Sequence, residues 1–160
     1  MSTQEQMWLT RITEVDVPEV PNILAMIVAQ GGEQTEKICR AAIEKCPPAI
    51  RDVKEQTPEL CDLAVSLYAP SIQCVYRPSY ELCAKALRED AKLFKYIRRQ
   101  SKDVCLLAVQ LDGKNLEFVR NKTEEICREA VKQNPAAVKY VSREFKHLFE
   151  GPQLAKMSLF

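Results

Sequence analysis

At 160 residues, 46% hydrophobic and 28% charged, the chain has the size and composition of one globular domain rather than a disordered or fibrous protein. Four glycines and nine prolines favour helices with short connections, and a net charge of +1 excludes a global field directed at nucleic acid or membrane. The charge is nonetheless uneven: residues 1–34 hold five acidic residues and one basic, whereas residues 85–102 hold seven basic and two acidic.

The opening MSTQEQ has neither the basic start nor the apolar core of a signal peptide. The longest apolar run, residues 23–29, is far short of the ~20 residues needed to cross a bilayer. The expectation is a soluble, intracellular, cytoplasmic protein with no membrane partner. Residues 1–21 read as a loose start. Residues 22–30 read as one helix, stopped by Gly31 and Gly32. That helix is nearly all apolar, so it is expected to be buried as a cap on the segment after residue 34, with Trp8 packed on the same end.

From residue 35 onward the chain repeats. Cys39, Cys61, Cys83, Cys105 and Cys127 stand 22 residues apart. Three residues after each comes Ala42, Ala64, Ala86, Ala108 or Ala130, and the next residue is always aliphatic. Further apolar columns run through Ile50, Ile72, Phe94, Leu116 and Val138, and through Val53, Val75, Ile97, Val119 and Val141. Thr35, Thr57, Ser79, Ser101 and Thr123 sit four residues before each cysteine, where a hydroxyl can cap a helix. Acidic residues come next in the first turn, which suits the helix dipole. Apolar positions such as Ile38, Cys39, Ala42 and Ile43 form a helical stripe, not a strand alternation.

Pro47, Gly113 and Pro135 share one position and end the first helix. Each unit is therefore a helix of about three turns, a tight turn and a helix of about two turns. Neither helix can bury its stripe alone, but stacked units can. The predicted fold is all-α: a right-handed α-solenoid of five helix–turn–helix repeats (35–56, 57–78, 79–100, 101–122, 123–144). An N-terminal cap (1–34) and a C-terminal helix with an apolar tail (145–160) flank it. Gly151 and Pro152 break that last helix, and the tail holds Leu154, Met157, Leu159 and Phe160. It is expected to close its own stack, to swap onto a second copy or to bind a partner.

The fourth and fifth copies, SKDVCLLAVQLDGKNLEFVRNK and TEEICREAVKQNPAAVKYVSRE, resemble a domain-of-unknown-function family of short helical repeats. That family is abundant in giant DNA viruses of amoebae and also occurs in some bacteria. The resemblance spans about residues 35–144 and is closest in these two copies; Pro48, Pro70 and Cys74 depart from its phrase. It implies a helical-repeat fold and a viral setting, such as a virion or viral factory. It carries no catalytic residue.

Chemistry is scarce. No two cysteines have the C-x-x-C spacing of a metal site. Stacked equivalents would lie about 8–10 Å apart, too far for a disulfide, whose Cα atoms sit about 4.4–6.8 Å apart. The cysteine is read as a small buried hydrophobe in the seam between units, beside the alanine that sets their approach. Cys46 and Cys74 lie outside the ladder. His147 is the single histidine, and no nucleophile elbow, phosphate loop or dinucleotide fingerprint appears. No catalytic residue, metal, cofactor or small-molecule substrate is expected.

The surface candidate is the basic block of Lys85, Arg88, Lys92, Lys95, Arg98, Arg99 and Lys102, with Tyr96 between. Lys85, Arg88 and Lys92 are spaced to share one helical face. The block reads as an ordinary solvated face, as a surface for an acidic protein or a second copy, or as a phosphate-binding ridge. The expected function is a non-enzymatic scaffold for protein–protein contact or self-association, with nucleic-acid binding through the third repeat as the alternative.

Overall fold

The computed structural model describes residues 3–149. The predicted apolar tail, with Leu154, Met157, Leu159, Phe160 and the break at Gly151 and Pro152, lies outside them. The described residues form seven α-helices and seven 3₁₀ helices, with no strand. The chain is an all-helical repeat protein. It divides into two compact units, Met1–Leu82 and Cys83–Phe160.

The start of the chain differs from the sequence expectation. Residues read as loose form α1 (Thr3–Glu14). Its polar TQEQ start hid a stripe of two residues, Trp8 and Ile12, which are both buried. Its Gln, Glu, Met, Leu and Arg content favours helix in any case. The Glu5 carboxylate accepts a hydrogen bond from the Thr35 hydroxyl (2.7 Å), and Lys45 Nζ donates to the Thr13 carbonyl (2.6 Å). These bonds tie α1 to the first repeat. The cap therefore has two α-helices, not one.

The second is α2 (Val20–Ala29), which starts two residues earlier than expected because Pro21 suits the first turn. It is buried on one face only, through Val20, Ile23, Leu24 and Ile27; Val28 is 47% exposed. Gly31 ends it at φ +70, with Gly31 N–H bonded to Val28 O and Gly32 N–H to Ile27 O. That pair of bonds is the Schellman stop, which needs a residue at ease in the left-handed region.

The first helix of each copy is α3 (Glu36–Lys45), α4 (Pro58–Leu67), α5 (Tyr80–Glu89), α6 (Lys102–Leu111) or α7 (Glu124–Gln133). The hydroxyls of Thr35, Thr57, Ser79, Ser101 and Thr123 each accept from the N–H three residues on. The ladder cysteines and alanines are all buried.

The second helix of each copy is a six-residue 3₁₀ helix: Pro47–Asp52, Ala69–Cys74, Ala91–Tyr96, Gly113–Phe118 and Pro135–Tyr140. With three residues per turn, side chains three apart lie over one another, so each six-residue helix presents three rows of two. Ile50, Ile72, Phe94 and Leu116 point inward. In copies three to five the side chains of Asp90, Asp112 and Asn134 cap this helix by accepting from the N–H two residues on. In copies one and two, Cys46 and Tyr68 stand there and make no such bond.

Within Met1–Leu82, α1 and α2 pack on α3, α3 on α4, and the two 3₁₀ helices on each other. Within Cys83–Phe160, α6 packs on α7 and the three 3₁₀ helices lie side by side in order.

Two polar devices hold neighbouring copies together, and neither was visible as a cysteine-like column. Gln34 Nε2 donates to Asp52 O (3.0 Å) while its Oε1 accepts from Lys54 N–H (2.8 Å). Gln56 does the same with Cys74 O (3.1 Å) and Tyr76 N–H (2.7 Å), and Gln100 with Phe118 O and Arg120 N–H (both 3.0 Å). One amide thus satisfies two backbone groups just past the next copy's 3₁₀ helix. The second device is buried Asn115, whose Nδ2 donates to Ala91 O (2.9 Å) and Ala108 O (3.0 Å).

Candidate interaction surface

The ladder cysteines are buried in the packing between helices. Burial pushes the Cys39 and Cys83 thiols up to about 11 and raises those of Cys61, Cys105 and Cys127. At neutral pH they are protonated, whereas the thiolate is the nucleophile and metal ligand. All seven cysteines are free. Among the described residues, no group of three or more His, Cys, Asp or Glu side chains converges.

Close approach of neighbouring copies is visible at Ala130, one of the ladder alanines. A Cβ added to Gly113 would overlap the carbonyl oxygen of Ala130, so the 3₁₀ helix of copy four runs directly against the backbone of α7. Gly113 N–H is held there by Gln133 Oε1 (2.6 Å).

The basic block does not form one helical face. Lys85 and Arg88 lie on α5, which stops at Glu89. Asp90 then caps a separate 3₁₀ helix, so Lys92 falls on a different element. The expectation that Lys85, Arg88 and Lys92 share one helix is wrong because the turn intervenes. Lys92 and Lys95 are three apart on the 3₁₀ helix and do share a face. Arg98 and Arg99 come next, in the exposed connection. Lys102 opens α6, and its Nζ lies 2.6 Å from the Glu125 carboxylate, whose hydrogen bond and charge raise the lysine's pKa.

What the structure adds runs across the repeats instead of along one. Tyr96, Phe118 and Tyr140 occupy the last position of three successive 3₁₀ helices. Tyr96 is 42% exposed, Phe118 40%, and Tyr140 is half-buried. Lys95 Nζ sits 4.7 Å from the Tyr96 ring centre, and Lys139 Nζ 4.7 Å from that of Tyr140. Arg98 and Arg120 occupy equivalent positions two residues further on, and Arg120 Nη1 donates to the Arg98 carbonyl (3.0 Å).

A cleft of about 390 Å³ opens beside them, lined by Arg98, Gln100, Lys102, Arg120, Asn121 and Thr123, among others. The signal for this row was present at 22-residue spacing, but Asp52 and Cys74 fill the same position in copies one and two and break the column.

Two of the five ladder cysteines, Cys105 and Cys127, and two of the three capped 3₁₀ helices fall in a segment that matches a known family. Residues 101–146 match a family described as a domain of unknown function, DUF4116. The matched segment holds copies four and five, with both the Asn134–Pro135 turn and the Asp112–Gly113 turn. It includes Phe118, Arg120, Lys139 and Tyr140. No curated protein and no solved structure matches the chain. No helix among the described residues is long and apolar enough to cross a membrane.

Proposed function

We propose that the chain is a non-enzymatic binding scaffold that engages a macromolecular partner through the outward positions of its second helices. One observation carries this reading. The residue types with intrinsic reactivity, the ladder cysteines, are buried in the seams with raised pKa values, while copy-to-copy variation falls on exposed positions of both helices. A repeat that fixes its interior and varies its surface is built for recognition. The sequence favours a protein partner or a second copy of the chain. The resemblance of copies four and five to repeats of giant amoebal viruses supports a viral structural or host-interaction setting.

The exposed aromatic and basic row favours a second reading, nucleic-acid binding. It spreads the alternative beyond the third repeat to copies four and five.

The test is cross-linked affinity capture from the native source with wild type and with the triple reversal Lys92→Glu, Lys95→Glu, Arg98→Glu. All three side chains are exposed, so the variant is expected to fold. The expected result is at least one captured macromolecule that the reversal reduces tenfold or more. An identical captured set for both proteins would overturn the proposal.

A further inference from the structure

Charge in the unit Cys83–Phe160 is sorted by helix type. The second-helix segments, 91–100, 113–122 and 135–144, hold nine basic residues and two acidic. The first-helix segments, 83–90, 101–112 and 123–134, hold five basic and seven acidic. In Met1–Leu82 the second-helix segments 47–56 and 69–78 hold three basic and two acidic, so no such sorting exists there. Among the described residues, the ion pairs of Cys83–Phe160 lie on the first helices, Lys102 with Glu125 and Arg128 with Glu124. None of the nine second-helix cations is in an ion pair among the described residues.

Like charges gathered on one edge repel one another and need a reason. The exposed aromatics on the same edge also need one, since they leave apolar rings in water. A polyanion with flat, unpaired bases answers both.

We propose that the 3₁₀ edge of residues 91–143 is a track for single-stranded nucleic acid. Tyr96, Phe118 and Tyr140 each offer a ring for one base. Lys95 and Lys139 beside those rings, with Arg98, Arg120 and Arg143, hold the phosphates. Arg120 gives one N–H to the Arg98 carbonyl and retains others for a phosphate oxygen. The cleft that Arg98, Lys102 and Arg120 line provides a seat for that phosphate.

Neighbouring copies lie about one helix spacing apart, roughly 8–10 Å. Helical repeats of other families read one base per repeat on such a spacing. Stacking on an aromatic ring is tolerant of base identity, so affinity rather than sequence preference is expected. Duplexes are disfavoured because their bases are already stacked and cannot meet the rings. An acidic peptide is disfavoured because its side chains would find cations but no apolar pocket at the rings.

This inference rests on the scaffold reading and narrows its partner. Fluorescence anisotropy of the full chain with labelled dT15 and U15 at 50 mM and 200 mM salt tests it. Saturable binding is expected, weakening with salt by a log–log slope of about −0.7 per phosphate neutralised. The variant Tyr96→Leu, Phe118→Leu, Tyr140→Leu keeps apolar volume and charge but removes the ring faces, and is expected to bind tenfold weaker or worse. A control with Arg128→Ala and Lys132→Ala removes two cations from a first helix and is expected to bind within about twofold of wild type.

Circular dichroism on each variant establishes folding, and the single substitution Phe118→Leu replaces the triple if the latter unfolds. No binding at 50 mM salt overturns the track. So does binding that survives the leucine variant, or equal loss in the control. If nucleic acid fails but the Lys92, Lys95, Arg98 reversal still loses a captured protein, the track falls and the scaffold stands. If the reversal also loses nothing, both fall.

Discussion

The cysteine column shows how a conspicuous residue can be chemically quiet. A thiol in the seam packs like a small apolar group, and removing it from water favours the protonated form. That preference sets the sign of the linked stability. In the unfolded chain Cys39 and Cys83 titrate near their ordinary value of 9.0; folded, they are pushed to about 11. The folded state therefore holds those protons more tightly, and the contribution is complete below pH 9 and lost as pH rises from 9 to 11.

Chemical denaturation between pH 8 and 11 is expected to show falling stability above pH 9, with a shallower fall in Cys39→Ala, Cys83→Ala. An unchanged slope in that variant would assign the loss to other groups. The ladder was legible because five copies repeat it without exception. Trp8 was legible as a packing residue, but α1 was not, since two buried residues in twelve give too thin a stripe to set a period.

Among the elements, the 3₁₀ helices and the glutamine clamps matter most to what the surface presents. The clamp fixes the backbone beyond each 3₁₀ helix, where Lys54, Tyr76 and Arg120 begin the outward segment. Gln56→Ala is expected to cost about 1–3 kcal/mol, because Ile50 O, Cys74 O and Tyr76 N–H lose one shared partner. Urea denaturation would measure it, and a change below about 0.3 kcal/mol would mean that water replaces the amide without loss.

The clamp was hard to read from sequence for a physical reason. A polar residue just before an N-cap is ordinary loop composition, and Pro78 and Lys122 interrupt the column. The second helix was legible as a short helix, but six residues are too few for their apolar spacing to separate a 3₁₀ period from an α period. The basic block was legible as charge and misread as geometry. The turn at Asp90 separates Lys85 and Arg88 from Lys92, and the further aromatics of the row, Phe118 and Tyr140, come from later copies.

For the whole molecule, the repeat period reveals the copies but not their grouping. The boundary between the compact units falls at Leu82 and Cys83, within the third copy and shortly after Pro78 takes the clamp position. The two units differ in the chemistry they expose. Met1–Leu82 carries the acidic start of the chain and a mixed surface; Cys83–Phe160 carries the sorted basic edge with its aromatic row.

The central claim is that recognition resides on that edge and not on the first helices. Lysine-directed cross-linking to the natural partner, mapped by mass spectrometry, tests it most directly because both edges hold exposed lysines. Cross-links are expected at Lys92, Lys95, Lys114 and Lys139, with Lys132 on α7 largely untouched. Cross-links concentrated on Lys132, with the 3₁₀ lysines spared, would contradict it.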